Sequence, residues 1–234
     1  MLPKPRRIPI DQRLARARLW RGRVGLFLVA ALSTLSGMTD AIGFMATGDF
    51  VSFMSGNTTR LAVEVSQGNW LATLHLIGVV ITFVLGNSLG VVISRTTGRR
   101  AWPLMLCIAA LLCTAALSTL APQALSLFAT ILAMGALNAA VEQVNGLPIG
   151  VTYVTGALSR FGRGLGGWLT GERPPGWRVQ LVPWSGMLIG AIVGATLQNH
   201  LGLSALWVSG GFALALGITF TQVPRRWQLS YTSR

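Results

Sequence analysis

Charged residues are scarce in this sequence: Asp, Glu, Lys and Arg make up 11% of its 234 residues, against about 25% in a soluble domain. So few charges cannot cover a water-facing surface, which excludes an ordinary soluble fold. Acidic residues are rarer still, with 6 against 19 Lys and Arg. The basic residues lie in the tails and between apolar stretches, as in the cytoplasmic parts of a membrane protein, and we therefore expect no nucleic-acid partner.

Cysteine and histidine are nearly absent, which excludes several kinds of site. Cys107 and Cys113 lie six residues apart in one apolar stretch, with no metal-ligand spacing around them. His75 and His200 share no motif. Nucleophile elbows, phosphate loops, zinc-protease motifs and nucleotide fingerprints are missing too. We therefore predict no metal, no cofactor and no enzymatic activity.

The sequence is instead rich in long apolar stretches. A membrane-spanning helix needs about 20 mostly apolar residues. Windows that reach or approach this length are 24–46, 71–94, 101–121, 124–141, 180–199 and 203–223. They predict an all-α, polytopic membrane protein of about six transmembrane helices, with the lipid bilayer as its partner. The membrane domain then covers 24–223, between a basic tail at 1–23 and a C-terminal tail at 224–234.

The distribution of Lys and Arg predicts the orientation of the chain. The N-terminal tail, the second and fourth connections and the C-terminal tail hold all of these residues except Arg60. Because basic residues collect on the cytoplasmic side of a membrane, we expect both termini in the cytoplasm. The tail at 1–23 is either a disordered arm, which we favour, or an amphipathic helix on anionic lipid.

The two halves of the sequence resemble each other. The motif Gly37-Met38-Thr39-Asp40-Ala41, with Ser55-Gly56 and Arg60 after it, is echoed by Gly135-Ala136-Leu137-Asn138-Ala139, Thr155-Gly156 and Arg160. Packing glycines follow at equal spacing, Gly86 and Gly90 in one half, Gly190 and Gly194 in the other. Three helices per unit predict a 3+3 inverted-topology repeat, with halves 24–121 and 124–223. The alternative is chance similarity between glycine-rich segments.

Asp40 is an acidic residue that lies inside a predicted span, the window 24–46. A carboxylate in the bilayer is costly and should face the bundle interior or water. It would then couple transport to a proton or cation, or contact a substrate. The alternative is a structural hydrogen bond between helices. Asn138, its counterpart in the repeat, has the same two interpretations.

Two segments, 50–66 and 150–171, are too polar to span the membrane and too patterned for plain loops. Their polar residues are Ser55, Gly56, Asn57 and Thr58 in the first and Thr155 and Gly156 in the second. Such stretches suit re-entrant or broken helices that line a substrate or ion pathway. An interfacial helix is the alternative. We expect Arg60 to pair with Glu64 one turn later.

The same residues give the chain its resemblance to a known family. The sequence resembles the YoaK-like family, the group of the domain of unknown function 1275, over residues 25 to 222. The resemblance rests on Ser36-Gly37-Met38-Thr39-Asp40-Ala41-Ile42-Gly43-Phe44, on Phe53-Met54-Ser55-Gly56-Asn57-Thr58, and on Ala133-Met134-Gly135-Ala136-Leu137-Asn138-Ala139 with Val154-Thr155-Gly156. It implies a six-helix protein of the bacterial inner membrane and no particular activity. Ser55 replaces a Thr of the family pattern and Leu137 a Gln, which weakens the case for substrate contact there.

Two functions fit these observations. A transporter of a small molecule or ion would use Asp40, the repeated halves and the polar breaks. A structural or scaffold membrane protein, homo-oligomeric through its glycine-rich faces, would have a dry, packed centre with Asp40 paired off. We favour the transporter. A polar cavity that reaches Asp40, Asn57 and Asn138 would distinguish the two.

Overall fold

The computed structural model describes residues 10–117, 123–139, 143–144, 147–148, 154–172 and 175–225, with backbone alone for 10–21 and the two strands. The α-helices of this part are α1 (Ile10–Thr47), α2 (Met54–Ser66), α3 (Trp70–Thr96), α4 (Ala101–Ala116), α5 (Gln123–Leu137), α6 (Val154–Leu169), α7 (Leu181–Leu201) and α8 (Leu206–Gln222). A two-residue antiparallel bridge joins β1 (Gln143–Val144) to β2 (Leu147–Pro148). The fold is otherwise helical, as predicted.

The helices α1, α3, α4, α5, α7 and α8 lie at the six predicted windows. Among the described residues, three helical stretches are long and apolar enough to cross a membrane: Gly22–Thr47, Trp70–Thr96 and Trp177–Gln222. The third contains both α7 and α8, which a 3-10 turn at Gly202–Ala205 separates. The shorter apolar helices are α4 and α5. The predicted ends at 118–121 and 140–141 lie outside the described residues. The chain is a polytopic membrane protein.

The first helix begins earlier than the sequence predicted. α1 starts at Ile10, within the basic stretch that we expected to be a disordered arm. Residues 10–21 contain no glycine or proline and are rich in Arg, Leu and Ala, which are strong helix formers. A helix that is already nucleated in the apolar segment therefore extends through them at little cost.

The core lies where α1, α4, α5 and α8 meet. Its largest fully buried side chains include Leu28, Leu32 and Leu35 of α1, Ile108 and Leu112 of α4, Ile131 of α5 and Phe220 of α8. By contrast, α3 is mostly exposed and carries apolar residues such as Leu74, Ile81 and Leu85 on its outer surface. Such exposure is the expected pattern for a helix that faces lipid.

Glycines bring α7 against α1. A Cβ atom added at Gly190 would overlap the carbonyl oxygen of Thr34, and one added at Gly194 would overlap that of Met38. The two backbones are therefore in direct contact, which a larger residue would prevent. This interface is the most extensive between any two described helices.

A second interface, between α3 and α5, is built in the same way. A Cβ at Gly86 would overlap the carbonyl oxygen of Leu132, and one at Gly90 would contact that of Ala136. Gly86 and Gly90, like their counterparts in α7, are buried. All four glycines that the sequence singled out for packing thus lie at close backbone contacts.

The two glycine interfaces correspond residue by residue. The glycines of α7 follow those of α3 by 104 residues (190 and 194 against 86 and 90). The contacted residues of α1 precede those of α5 by 98 (34 and 38 against 132 and 136). The helix that comes first in each half therefore packs on the second long helix of the other half, with the same register in both interfaces.

The break in the first polar segment lies earlier than predicted. Residues 48–53, here called the 48–53 loop, are non-helical, whereas Ser55, Gly56 and Asn57 form the first turn of α2. The chain turns at Gly48, whose φ of 78° suits glycine. In the second segment α6 begins at Val154, and residues 150–153 lie outside the described residues.

Candidate functional site

Asp40 holds the 48–53 loop against α1. Its Oδ1 atom accepts hydrogen bonds from the backbone N–H groups of Val51 and Ser52, each at 2.8 Å. The hydroxyl of Ser36 also lies 3.2 Å from that of Ser52. Asp40 is only 6% exposed. Because the loop has no helix or sheet partner for these N–H groups, a buried acceptor is needed to satisfy them.

Asn57 holds the same loop from α2. Its Nδ2 donates to the carbonyl oxygen of Phe50 at 2.6 Å, and its Oδ1 accepts from the N–H of Phe50 at 3.2 Å. A Cβ at Gly56 would meet the rings of Phe50 and Phe53, so glycine leaves room for both. Thr58 turns outward and donates to the carbonyl oxygen of Met54. Asp40 and Asn57 therefore fix the loop from two sides.

A cavity of about 280 Å³ lies where the loop, α2, α3, α5 and α6 come together. Its described lining residues are Ser52, Phe53, Met54, Ser55, Phe83, Asn87, Asn138, Thr155 and Gly156. Ser55 is in the first turn of α2, Thr155 and Gly156 are in the first turn of α6, and Asn138 directly follows α5. Polar residues from both halves of the sequence thus line one cavity.

The lining can form hydrogen bonds but carries no ionisable side chain among the described residues. Asn87 and Asn138 each offer an amide donor and acceptor, and Ser55 and Thr155 offer hydroxyls. Phe53 and Phe83 supply apolar surface. Cavities for drug-sized ligands have volumes of roughly 300–1,000 Å³, so this one suits a small solute.

The predicted site residues divide into two groups. Ser55, Asn138, Thr155 and Gly156 line the cavity, whereas Asp40 and Asn57 do not and instead bond to the 48–53 loop. Gly56 and Thr58 lie beside the cavity without lining it. This distribution differs from the prediction because a loop without helical hydrogen bonds needs buried side-chain acceptors and donors close by.

Asn87 of α3 lines the cavity and was missed. It is the only amide side chain in the window 71–94, one residue past the packing glycine Gly86. An isolated amide in an apolar helix is a signal for a polar contact inside the bundle. This signal identifies Asn87 from the sequence alone.

A second polar cluster centres on Asp49, which is buried. Its Oδ1 lies 2.6 Å from Nη1 of Arg60, and its Oδ2 lies 2.7 Å from Nε2 of His75. Arg60 also donates to the carbonyl oxygen of Gly48. The predicted pairing of Arg60 with Glu64 is therefore wrong: the loop brings Asp49 beneath α2, and Arg60 turns back to it.

The Asp49 cluster borders a second cavity, of about 310 Å³. Its described lining residues are Ala46, Thr47, Asp49, His75, Gln123, Ala124 and Leu127. The side chain of Gln123 donates to the carbonyl oxygen of Ala46 at 2.8 Å, which joins the start of α5 to the end of α1. The 48–53 loop thus starts at one cavity and ends at the other.

Within the described residues, no three His, Cys, Asp or Glu side chains come close enough to hold a metal ion. Cys107 and Cys113 are both free thiols.

Comparison with known protein families shows which family the sequence belongs to. The model of a protein family of unknown function, DUF1275, matches residues 28–219, which include both glycine interfaces and both cavities. The chain belongs to the DUF1275 family. A UPF0700 transmembrane protein of Rhizobium meliloti (strain 1021) is 56% identical over 208 residues, which cover 89% of this chain and 91% of that protein. No solved structure matches this DUF1275 protein.

Proposed function

We propose that this membrane protein transports a small, polar solute, which binds in the cavity beside Ser55, Asn138 and Thr155. The observation that carries the proposal is that residues of both polar segments, 50–66 and 150–171, line this cavity. In many secondary transporters the substrate site lies near the midplane, between two repeats and at interrupted helices. A scaffold protein has no need for a polar cavity at this position.

The architecture supports alternating access between two halves. We propose that α1–α4 and α5–α8 are the units of an inverted repeat that rock against each other. The corresponding glycine contacts of α1 with α7 and α3 with α5 support this division, since each joins one half to the other in the same register.

We further propose a bacterial inner membrane location with both termini in the cytoplasm. Arg225, after α8, donates to the carbonyl oxygen of Gly98, between α3 and α4, so these basic segments lie at one end of the bundle. Gln123 and Ala46 meet at another junction, which belongs to the connections poor in basic residues. Both contacts agree with the distribution of Lys and Arg.

One observation favours the alternative, a structural membrane protein without transport activity. Asp40 is buried and hydrogen-bonded to the 48–53 loop, as a purely structural role requires. The cavity distinguishes the alternatives, because only a transporter needs its lining residues. We propose no catalytic role, since the hydroxyl of Thr47, which lines the second cavity with His75, donates to the carbonyl oxygen of Gly43 and not to the imidazole.

Solute uptake by intact cells tests the proposal. A panel of labelled small solutes would be compared in deletion cells and in cells that express the wild type, Asn138→Leu or Asn199→Leu. Asn138→Leu replaces an amide of the cavity lining with an apolar side chain, whereas Asn199 is exposed near the end of α7 and provides a matched control. We expect the wild type and Asn199→Leu to raise uptake of at least one solute, and Asn138→Leu to abolish that increase. Equal uptake in all four strains would support the structural alternative.

A further inference from the structure

We propose that His75, paired with Asp49, is the proton-binding residue of this transporter, in place of Asp40. The inference rests on the proposed function and assigns its coupling ion. His75 is in the second turn of α3, and its Nε2 lies 2.7 Å from Oδ2 of Asp49. Imidazole is the side chain whose ordinary titration falls nearest neutral pH.

Asp40 is less suited to this role. Its carboxylate holds the N–H groups of Val51 and Ser52, so loss of its charge would weaken the bonds that position the loop. It also lines neither of the two cavities. His75, in contrast, has a side chain 39% exposed and lines the 310 Å³ cavity, where a proton can reach it from water.

The groups around His75 come from each element packed against it. Asp49 faces it from the 48–53 loop, and Arg60 of α2 shares that carboxylate. From α5, Gln123 lines the same cavity and the Phe128 ring lies 6.0 Å from the imidazole. Because Arg60 already balances Asp49, the charge of the cluster is set by whether His75 holds a proton.

The proton's position follows from the hydrogen bond. A carboxylate accepts, so Nε2 of His75 carries the hydrogen that points to Asp49. The second ring nitrogen, Nδ1, is then the atom that gains a proton from water and later returns it. Gain of that proton adds a positive charge to the donor of a hydrogen bond that the carboxylate already accepts, which strengthens the contact.

The 48–53 loop connects this proton site to the substrate cavity. Asp49 lies near its start, and Ser52 and Phe53, at its end, line the 280 Å³ cavity. A protonated His75 holds Asp49, and with it the start of the loop, more firmly against α3. Proton binding on one side can therefore bias the shape of the cavity on the other, which is the requirement for coupled transport.

The two histidines of the chain allow a matched test. His75→Gln keeps an amide donor for Asp49 but cannot titrate, whereas His200→Gln removes an exposed imidazole at the end of α7. The melting midpoint of each purified protein would be followed by tryptophan fluorescence at about pH 5.5 and about pH 8, on either side of the ordinary imidazole range. We expect the wild type to melt at a higher temperature than His75→Gln at the acidic pH. The difference between their melting midpoints should be about 2 °C larger there than at the basic pH.

We expect His200→Gln to follow the wild type at both pH values, and Asp49→Asn to lose the acid-dependent gain as His75→Gln does. If His75→Gln keeps the pH response of the wild type, or His200→Gln loses it, the proton site is overturned. No substrate enters this measurement, so its failure leaves the cavity and the uptake test unaffected. Once a transported solute is known, its uptake should lose its pH dependence in His75→Gln and keep it in Asp40→Asn.

Discussion

Oδ1 of Asp40 lies 2.8 Å from the backbone nitrogen of Val51, eleven residues further along the chain. Together with the hydrogen bond to Ser52, this contact anchors the 48–53 loop, which separates α1 from α2, inside the bundle. A buried charge in a membrane helix usually marks a pathway for ions or substrates. Here its partners are backbone groups, and its first effect is on the shape of the 48–53 loop.

Substitutions of Asp40 should therefore act on stability in a graded way. Asp40→Asn retains Oδ1 as an acceptor for Val51 and Ser52, and we expect a loss of about 1 kcal/mol or less. Asp40→Leu leaves two buried N–H groups without an acceptor and should cost roughly 2–5 kcal/mol. Thermal melting of the purified variants measures both. A well-folded Asp40→Asn protein with no solute uptake would instead support the coupling role first considered for Asp40.

The glycine interfaces should tolerate no added methyl group. We expect Gly190→Ala and Gly86→Ala each to destabilise the protein by about 1–3 kcal/mol or more, because the new Cβ would overlap a backbone carbonyl. Gly211, in α8, has no atom near the position of a Cβ and provides a helical glycine as control. Gly211→Ala should be neutral or slightly stabilising, since Ala favours helix by up to about 1 kcal/mol. Equal effects in all three variants would show that helix propensity, not packing, governs these positions.

Sequence patterns predicted the membrane helices well and the loop poorly. Apolar length and small-residue spacing are local properties, so the windows and the packing glycines Gly86, Gly90, Gly190 and Gly194 could be read directly. The position of the helix break could not be read in this way. It depends on Asp40 and Asn57, which lie outside the loop and form hydrogen bonds with the backbone groups of Val51, Ser52 and Phe50.

The candidate site was predictable only in part, for the same reason. The predicted site residues Ser55, Asn138 and Thr155 line one cavity, whereas Asp40, which the sequence matched to Asn138, does not. The pairing of Asp49 with His75 spans 26 residues and two elements. No local spacing encodes such a contact, so it required the folded chain.

Cysteine labelling should confirm the orientation of the bundle. In a background with Cys107→Ser and Cys113→Ala, we expect Gln67→Cys to react with a membrane-impermeant maleimide added to intact cells. Thr96→Cys should react only after the cells are opened. Both positions are exposed, and they lie at opposite ends of α3. Reaction of Thr96→Cys in intact cells, or none at Gln67→Cys, would reverse or abolish the proposed topology.

Ser55 and Thr155 should face each other across the cavity, because both line it from opposite halves of the chain. In the same cysteine-free background, the double variant Ser55→Cys/Thr155→Cys should be joined by a short bifunctional thiol reagent. Mass spectrometry of the digested protein identifies the linked peptides. We expect the pair Ser55→Cys/Thr196→Cys to give no such link, because Thr196 is exposed on α7 and does not line the cavity.

The functional consequence of that link separates the two proposed roles. If the halves rock about this cavity, a covalent bridge across it should abolish solute uptake in cells, and the single variants should retain most of it. Reagent-treated single variants control for chemical modification of either side chain. A bridged protein that still transports would place the pathway elsewhere, and absence of the link would remove the cavity between the halves on which the transport proposal depends.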